Sequence, residues 1–182
     1  PRTRESVAIP PGVHAVSFRY RKDAYTSAGA DRGWVDNLAY ARPQQRFADW
    51  LAAFPDLSGS GQATRDADHD GLANLREFFH ATGPDAPGPR PLAAPEYHSG
   101  GSGLATEYRR SKSARGVSAA FEWSADLVHW QAGGESHGGV SVEITESILD
   151  DRHLDYARIG VNARVTTGSP QRLFLRHRVH LE

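Results

Sequence analysis

Residues 66–77 read Asp-Ala-Asp-His-Asp-Gly-Leu-Ala-Asn-Leu-Arg-Glu, with carboxylates at positions 1, 3, 5 and 12 of a twelve-residue stretch and glycine at position 6. A cation as hard and large as Ca²⁺ takes about six to eight oxygens, and this spacing supplies them from one short loop. Asp66, Asp68 and Asp70 converge while Gly71 takes the sharp turn. The carbonyl of Leu72 is a fourth expected ligand. Asn74 occupies the place where ligation often runs through water, and Glu77 can close the site with both oxygens from the start of a helix. A chain with this loop must fold so that several carboxylates meet at one point. The alternative, a solvated acidic turn, would not need the glycine and all four acids in register.

The remainder of the chain is less specific. Its 182 residues suffice for one or two small domains, and the net charge of -1 gives no global electrostatic partner. No basic run is interleaved with aromatic residues, which argues against nucleic acid. Arg109, Arg110, Lys112 and Arg115 fit a solvent-facing hairpin tip better than a phosphate-binding surface. No apolar run reaches the roughly 20 residues of a membrane span. Cysteine is absent, so disulfides and thiolate chemistry are excluded. A lone calcium loop suits the millimolar calcium outside cells, and the expectation is a secreted or cell-surface protein. Methionine is also absent and the sequence starts at Pro1, from which we expect a piece of a longer precursor.

The expected fold is mostly β with a small α unit, in four parts. Residues 1–42 carry two or three strands that look like the incomplete end of a β-sandwich, including 12–20 and the run Trp34-Val35-Asp36-Asn37-Leu38-Ala39-Tyr40. Such strands call for another polypeptide, or the rest of a precursor, to complete their sheet. Residues 43–84 form a helix, the calcium loop and a second helix. Pro43 is placed in the first turn, Phe47, Trp50, Leu51 and Phe54 make one apolar stripe, and Pro55 ends it. Leu75, Phe78 and Phe79 line the second helix, which stops at Gly83-Pro84 and should pack on the first. Residues 85–103, rich in proline and then glycine, read as a linker. Residues 104–182 read as a C-terminal β-sandwich, with strands at 104–110, 116–123, 140–144, 156–165 and 172–181.

Several stretches together resemble the C-terminal region of large secreted or surface proteins of verrucomicrobial and planctomycete-type bacteria. They are HAVSFRYRKD at 14–23, GWVDNLAYA at 33–41, DADHDGLANLREF at 66–78, YRRSKSARGVSAAFEWSADLVHW at 108–130 and RLFLRHRV at 172–179. The resemblance implies a jelly-roll-like strand end, an EF-hand-like calcium loop and a terminal β-module. These would form a non-catalytic accessory or assembly region of a longer exported protein, often one acting on polysaccharides or proteins. About ten residues separate the first helix from Asp66, so the loop departs from a paired EF-hand sensor and is closer to dockerin or thrombospondin-type loops, in which metal holds a fold together.

Other candidates carry less. Asp23, Asp31 and Asp36 flank a loop between two strands and are candidates for a second calcium site; turn formation is the commoner use of such residues. Trp34, Trp50, Trp123 and Trp130 sit in apolar patterns that favour core packing. Trp130 follows a turn and is the best candidate for stacking on a sugar. It carries the alternative expectation, a carbohydrate-binding module of a secreted hydrolase that meets polysaccharide. The nine histidines show no ligand spacing, with His129, His137 and His153 read as surface residues. No nucleophile elbow, phosphate loop or His-Glu-x-x-His pattern occurs, so no enzymatic centre is expected.

Overall fold

The computed structural model describes residue 7 and residues 16–19, 43–57, 62–98 and 102–182. The chain divides into one unit of Pro1–Tyr40 and another of Ala41–Glu182. In the first, Val7, Val16 and Phe18 are exposed and belong to no strand. The other residues of the expected strands over 12–41, with Asp23, Asp31, Asp36 and Trp34, lie outside the described residues.

The second unit is mostly β. Its strands are β1 Glu96–Tyr97, β2 Gly103–Ser111, β3 Val117–Ser124, β4 Gln131–Ala132, β5 Ser136–His137, β6 Val140–Asp150, β7 Tyr156–Thr167 and β8 Phe174–Leu181. They form two antiparallel sheets, in the orders β1-β2-β7-β6-β5 and β4-β3-β8. Side chains two apart on a strand share a face, and the buried residues follow that period: Leu104, Thr106 and Tyr108 on β2, Ala157, Ile159, Val161 and Ala163 on β7, Phe121 and Trp123 on β3. Tyr108, Ile159 and Val161 share a core cluster with Phe121 of the other sheet and with Phe79. Leu104, Trp123, Val142, Ala163 and Leu173 form a second cluster. Gly103 starts β2 where a Cβ would collide with the Ala163 carbonyl of β7, so the close strand approach there requires glycine.

Strand β6 runs six residues further than the expected 140–144. Its later part pairs with β7 through a register shift between Ile148 and Asp150, while Ile148 and Leu149 stay exposed. Backbone pairing rather than burial holds this half, which leaves no hydrophobic alternation to read.

Two short helices precede the sheets, α1 Phe47–Leu51 and α2 Asn74–His80. The α1 helix begins four residues after Pro43, contrary to expectation. Gln45 instead bridges Ala114, its N–H donating to the Ser113 carbonyl at 2.8 Å, and the Arg46 N–H donates to Asp49 Oδ2 at 3.3 Å to open the helix. Pro55 then starts a 3₁₀ turn, Pro55–Leu57. The α2 helix ends at Ala81, which takes φ 57 so that the Thr82 N–H reaches the Glu77 carbonyl at 3.0 Å, two residues before the expected Gly83 stop. The two apolar stripes meet at Phe78, 5.8 Å from the Phe47 ring and 5.5 Å from that of Trp50. Phe79 turns the other way, 6.0 Å from Tyr108.

The expected linker is in part a structural element. Pro91 is buried, Leu92 bridges Tyr108, the Ala93 N–H donates to the Glu107 carbonyl, and β1 pairs with the start of β2. The proline-fixed extended backbone that suggested a spacer is also the conformation that docks along a sheet edge. Residues 99–101 lie outside the described residues.

Candidate metal centre

The loop at 66–77 is held by its own backbone. Gly71 has φ 94, a conformation that glycine adopts without penalty, and His69 takes φ 61. Asx-type bonds pin the acids: the Asp70 N–H donates to Asp68 Oδ1 at 3.1 Å, Gly71 N–H to Asp66 Oδ2 at 2.9 Å, and Leu72 N–H to Asp70 Oδ1 at 2.8 Å. The Asn74 N–H donates to the Arg65 carbonyl at 2.7 Å and the Leu75 N–H to the Ala63 carbonyl at 3.1 Å, which ties the entry of α2 to the chain ahead of the loop. As a result Asp66, Asp68 and Asp70 each bring a carboxylate oxygen within 4.8 Å of the other two, a group that could hold a metal ion.

Glu77 is not part of that trio, but its charge state depends on it. It lies on α2 with 0% exposure, and neither carboxylate oxygen has a hydrogen-bond partner among the described residues. Burial, followed by the charges of Asp68, Asp70, Asp66 and Asp85, pushes its carboxyl up to about 8. Burial also raises the carboxyl of Asp68, opposed by the hydrogen bond from Asp70 and reinforced by its acidic neighbours. Asp66 Oδ1 and Asp68 Oδ2 are buried without partners among the described residues as well. Burying an ionised carboxylate without a counter-charge costs several kcal/mol, so such a group must hold a proton or face a cation. Three converging carboxylates beside a fourth that is buried fit a divalent, oxygen-seeking ion.

Of the other expected ligands, Leu72 is located by its N–H bond to Asp70. Asn74 opens α2 fully buried, with its side-chain amide donating to the Gln62 carbonyl at 3.0 Å. Trp130 is half-buried. Its indole N–H donates to the Leu127 carbonyl at 3.2 Å, and the Arg176 guanidinium lies 4.2 Å over its ring. One face of the proposed stacking platform is therefore covered by a cation. Arg109 and Lys112 of the basic stretch are also engaged, Arg109 over the Tyr156 ring and Lys112 Nζ with the Asp151 and His153 carbonyls at 2.7 Å each.

Two histidine arrangements escaped sequence reasoning. His80 and His177 meet in the aromatic core, ring centroids 5.2 Å apart, among Phe79, Tyr108 and Phe121. The His80 Nδ1–H donates to the Arg109 carbonyl at 2.6 Å. Burial lowers His80 to about 4 and His177 to about 3, so both rings are neutral at pH 7. The parity of β8 could have revealed His177, which shares a face with Leu175 and Val179. His129 and His137, read as separate surface residues, stack at 4.3 Å, and with Asp126 they form a second group able to hold a metal ion.

No family model, curated protein or solved structure matches the chain.

Proposed function

We propose that this chain is a non-catalytic calcium-binding accessory or assembly region of an exported bacterial multidomain protein. One observation supports the ion above all: Glu77 is fully buried beside three converging aspartates, with no internal partner for either of its oxygens among the described residues. Asp66, Asp68, Asp70 and Glu77 would ligate Ca²⁺, with the Leu72 carbonyl and Asn74 completing the set. Calcium would supply the positive charge that lets four acids share one loop. It would fix α2 against α1 through Phe78 and against the sheets through Phe79. The helix–loop–helix unit thus serves as a metal-locked brace on a small β-sandwich made from the two sheets. The accessory role rests on the sequence resemblance, and the exported location on that resemblance together with the match of a lone calcium loop to millimolar calcium. The proposal that part of 1–42 joins a sheet completed by another polypeptide rests on the strand-like pattern of its sequence, although Val16–Arg19 belong to no strand.

Thermal unfolding with excess calcium and with chelator, on the chain and on its Asp70→Ala variant, tests this reading. A calcium-dependent rise in the midpoint that the variant loses supports it. No rise in the unaltered chain overturns it.

A further inference from the structure

The turn between β3 and β4 is built on a buried hydroxyl. Ser124 has 0% exposure, and its Oγ accepts from the Asp126 N–H at 3.2 Å and the Leu127 N–H at 2.9 Å while donating to Asp126 Oδ1 at 3.0 Å. The same Oδ1 accepts the N–H groups of Val128 and His129, each at 2.8 Å. Leu127 takes φ 67 to close the loop. The other carboxylate oxygen, Oδ2, accepts from His129 Nδ1 at 2.7 Å, which orients the His129 ring against the Asp126 carboxylate. His137 comes from a different segment. It ends β5 beside a turn in which Gly138 and Gly139 both have positive φ, 58 and 77, and that hairpin lays its ring on His129 at 4.3 Å with 21° between planes. One ligand atom from each of Asp126, His129 and His137 then lies within 4.8 Å of the other two.

We propose that Asp126, His129 and His137 form a second metal site, selective for a borderline divalent ion of the zinc class and independent of the aspartate loop. Two imidazole nitrogens and one carboxylate oxygen are the donor set that such ions favour, whereas Ca²⁺ takes oxygen alone. Three protein ligands on an exposed turn leave the remaining positions to water. Asp126 and His129 lie in the turn that leads from β3 to β4 and His137 on β5 of the other sheet, so the ion would tie that turn to the second sheet.

The experiment is a Zn²⁺ titration by calorimetry into the full chain held saturated with Ca²⁺, so that the aspartate loop is already filled. The His129→Ala, His137→Ala and Asp126→Asn variants are compared with His153→Ala, whose ring stacks on Tyr156 away from the turn. The expected result is one saturable zinc site that His129→Ala and His137→Ala abolish and that Asp126→Asn weakens at least about tenfold, with the control unchanged. Because Asp126 also braces the turn, circular dichroism of each variant is recorded. Absence of saturable binding, or binding that survives both histidine substitutions in folded variants, overturns the proposal.

Discussion

In the sheets, Thr106 donates to the Ala93 carbonyl, Trp123 Nε1 to the Ala132 carbonyl, and Ser124 sits within a net of bonds to Asp126 and Leu127, so that these buried polar groups are paired within the protein. In the aspartate loop, Asp66 Oδ1, Asp68 Oδ2 and both oxygens of Glu77 have none among the described residues. Buried polar groups are normally paired, and unpaired ones are expensive. The unpartnered carboxylate oxygens thus gather in the loop, the feature on which the proposed ion rests. His177 lies where the two regions meet, on β8 and against Phe79 and His80 of α2, and it too lacks a hydrogen-bond partner among the described residues.

The largest effect should come from the sheets and be blind to calcium. Trp123→Ala removes a side chain with 0% exposure from the second core cluster and should cost about 3–5 kcal/mol in urea unfolding. The cost should be equal in calcium and in chelator; a strong calcium dependence would mean that the two regions are not separable in this way.

The second effect belongs to the loop. Free calcium at about 100 times its Kd should add roughly 2.7 kcal/mol, and the Glu77→Gln variant should lose most of that gain. Under chelation the sign reverses. The carboxyl of Glu77, held near 8 against an ordinary 4.5, keeps a proton that the unfolded chain releases. Without calcium, stability should thus fall as pH rises from about 4.5 to about 8, and the Glu77→Gln variant should lack this slope in chemical unfolding across that range.

The histidine pair runs the opposite way. His80 and His177 stay neutral well below the ordinary 6.5, so the unfolded chain binds more protons as pH falls through that window. Their contribution is fully present above about 6.5 and is lost progressively as pH falls to about 4 for His80 and about 3 for His177. A His177→Phe variant should show a shallower loss of thermal midpoint over that range than the unaltered chain. At the smallest end, Arg158→Ala breaks a pair with Glu107 at 2.6 Å in which both side chains are over 40% exposed, and should change stability by no more than about 1 kcal/mol.

Much of this was legible because the chain writes it in local patterns. The period-two alternation of Ala119, Phe121 and Trp123, and of Leu175, Val179 and Leu181, marked strands that the structure forms. The spacing of Asp66, Asp68 and Asp70 around Gly71 marked a group that does converge. What was missed depends on long-range register. Pro91 and Leu92 looked like spacer because their sheet neighbour, β2, supplies the partners. His129 and His137 looked unrelated because one sits in the turn ahead of β4 and the other on β5 of the other sheet, and only the fold stacks their rings. Glu77 was expected as a ligand, but its complete burial arises from packing of α2 between α1 and the sheets, which no spacing rule contains.

Calorimetric titration of Ca²⁺ into metal-free chain, beside the Asp70→Ala variant, measures the central claim directly. A saturable calcium site that disappears with Asp70→Ala is the predicted result. Heats without saturation, or an isotherm that the substitution leaves unchanged, would contradict a calcium ion in this loop.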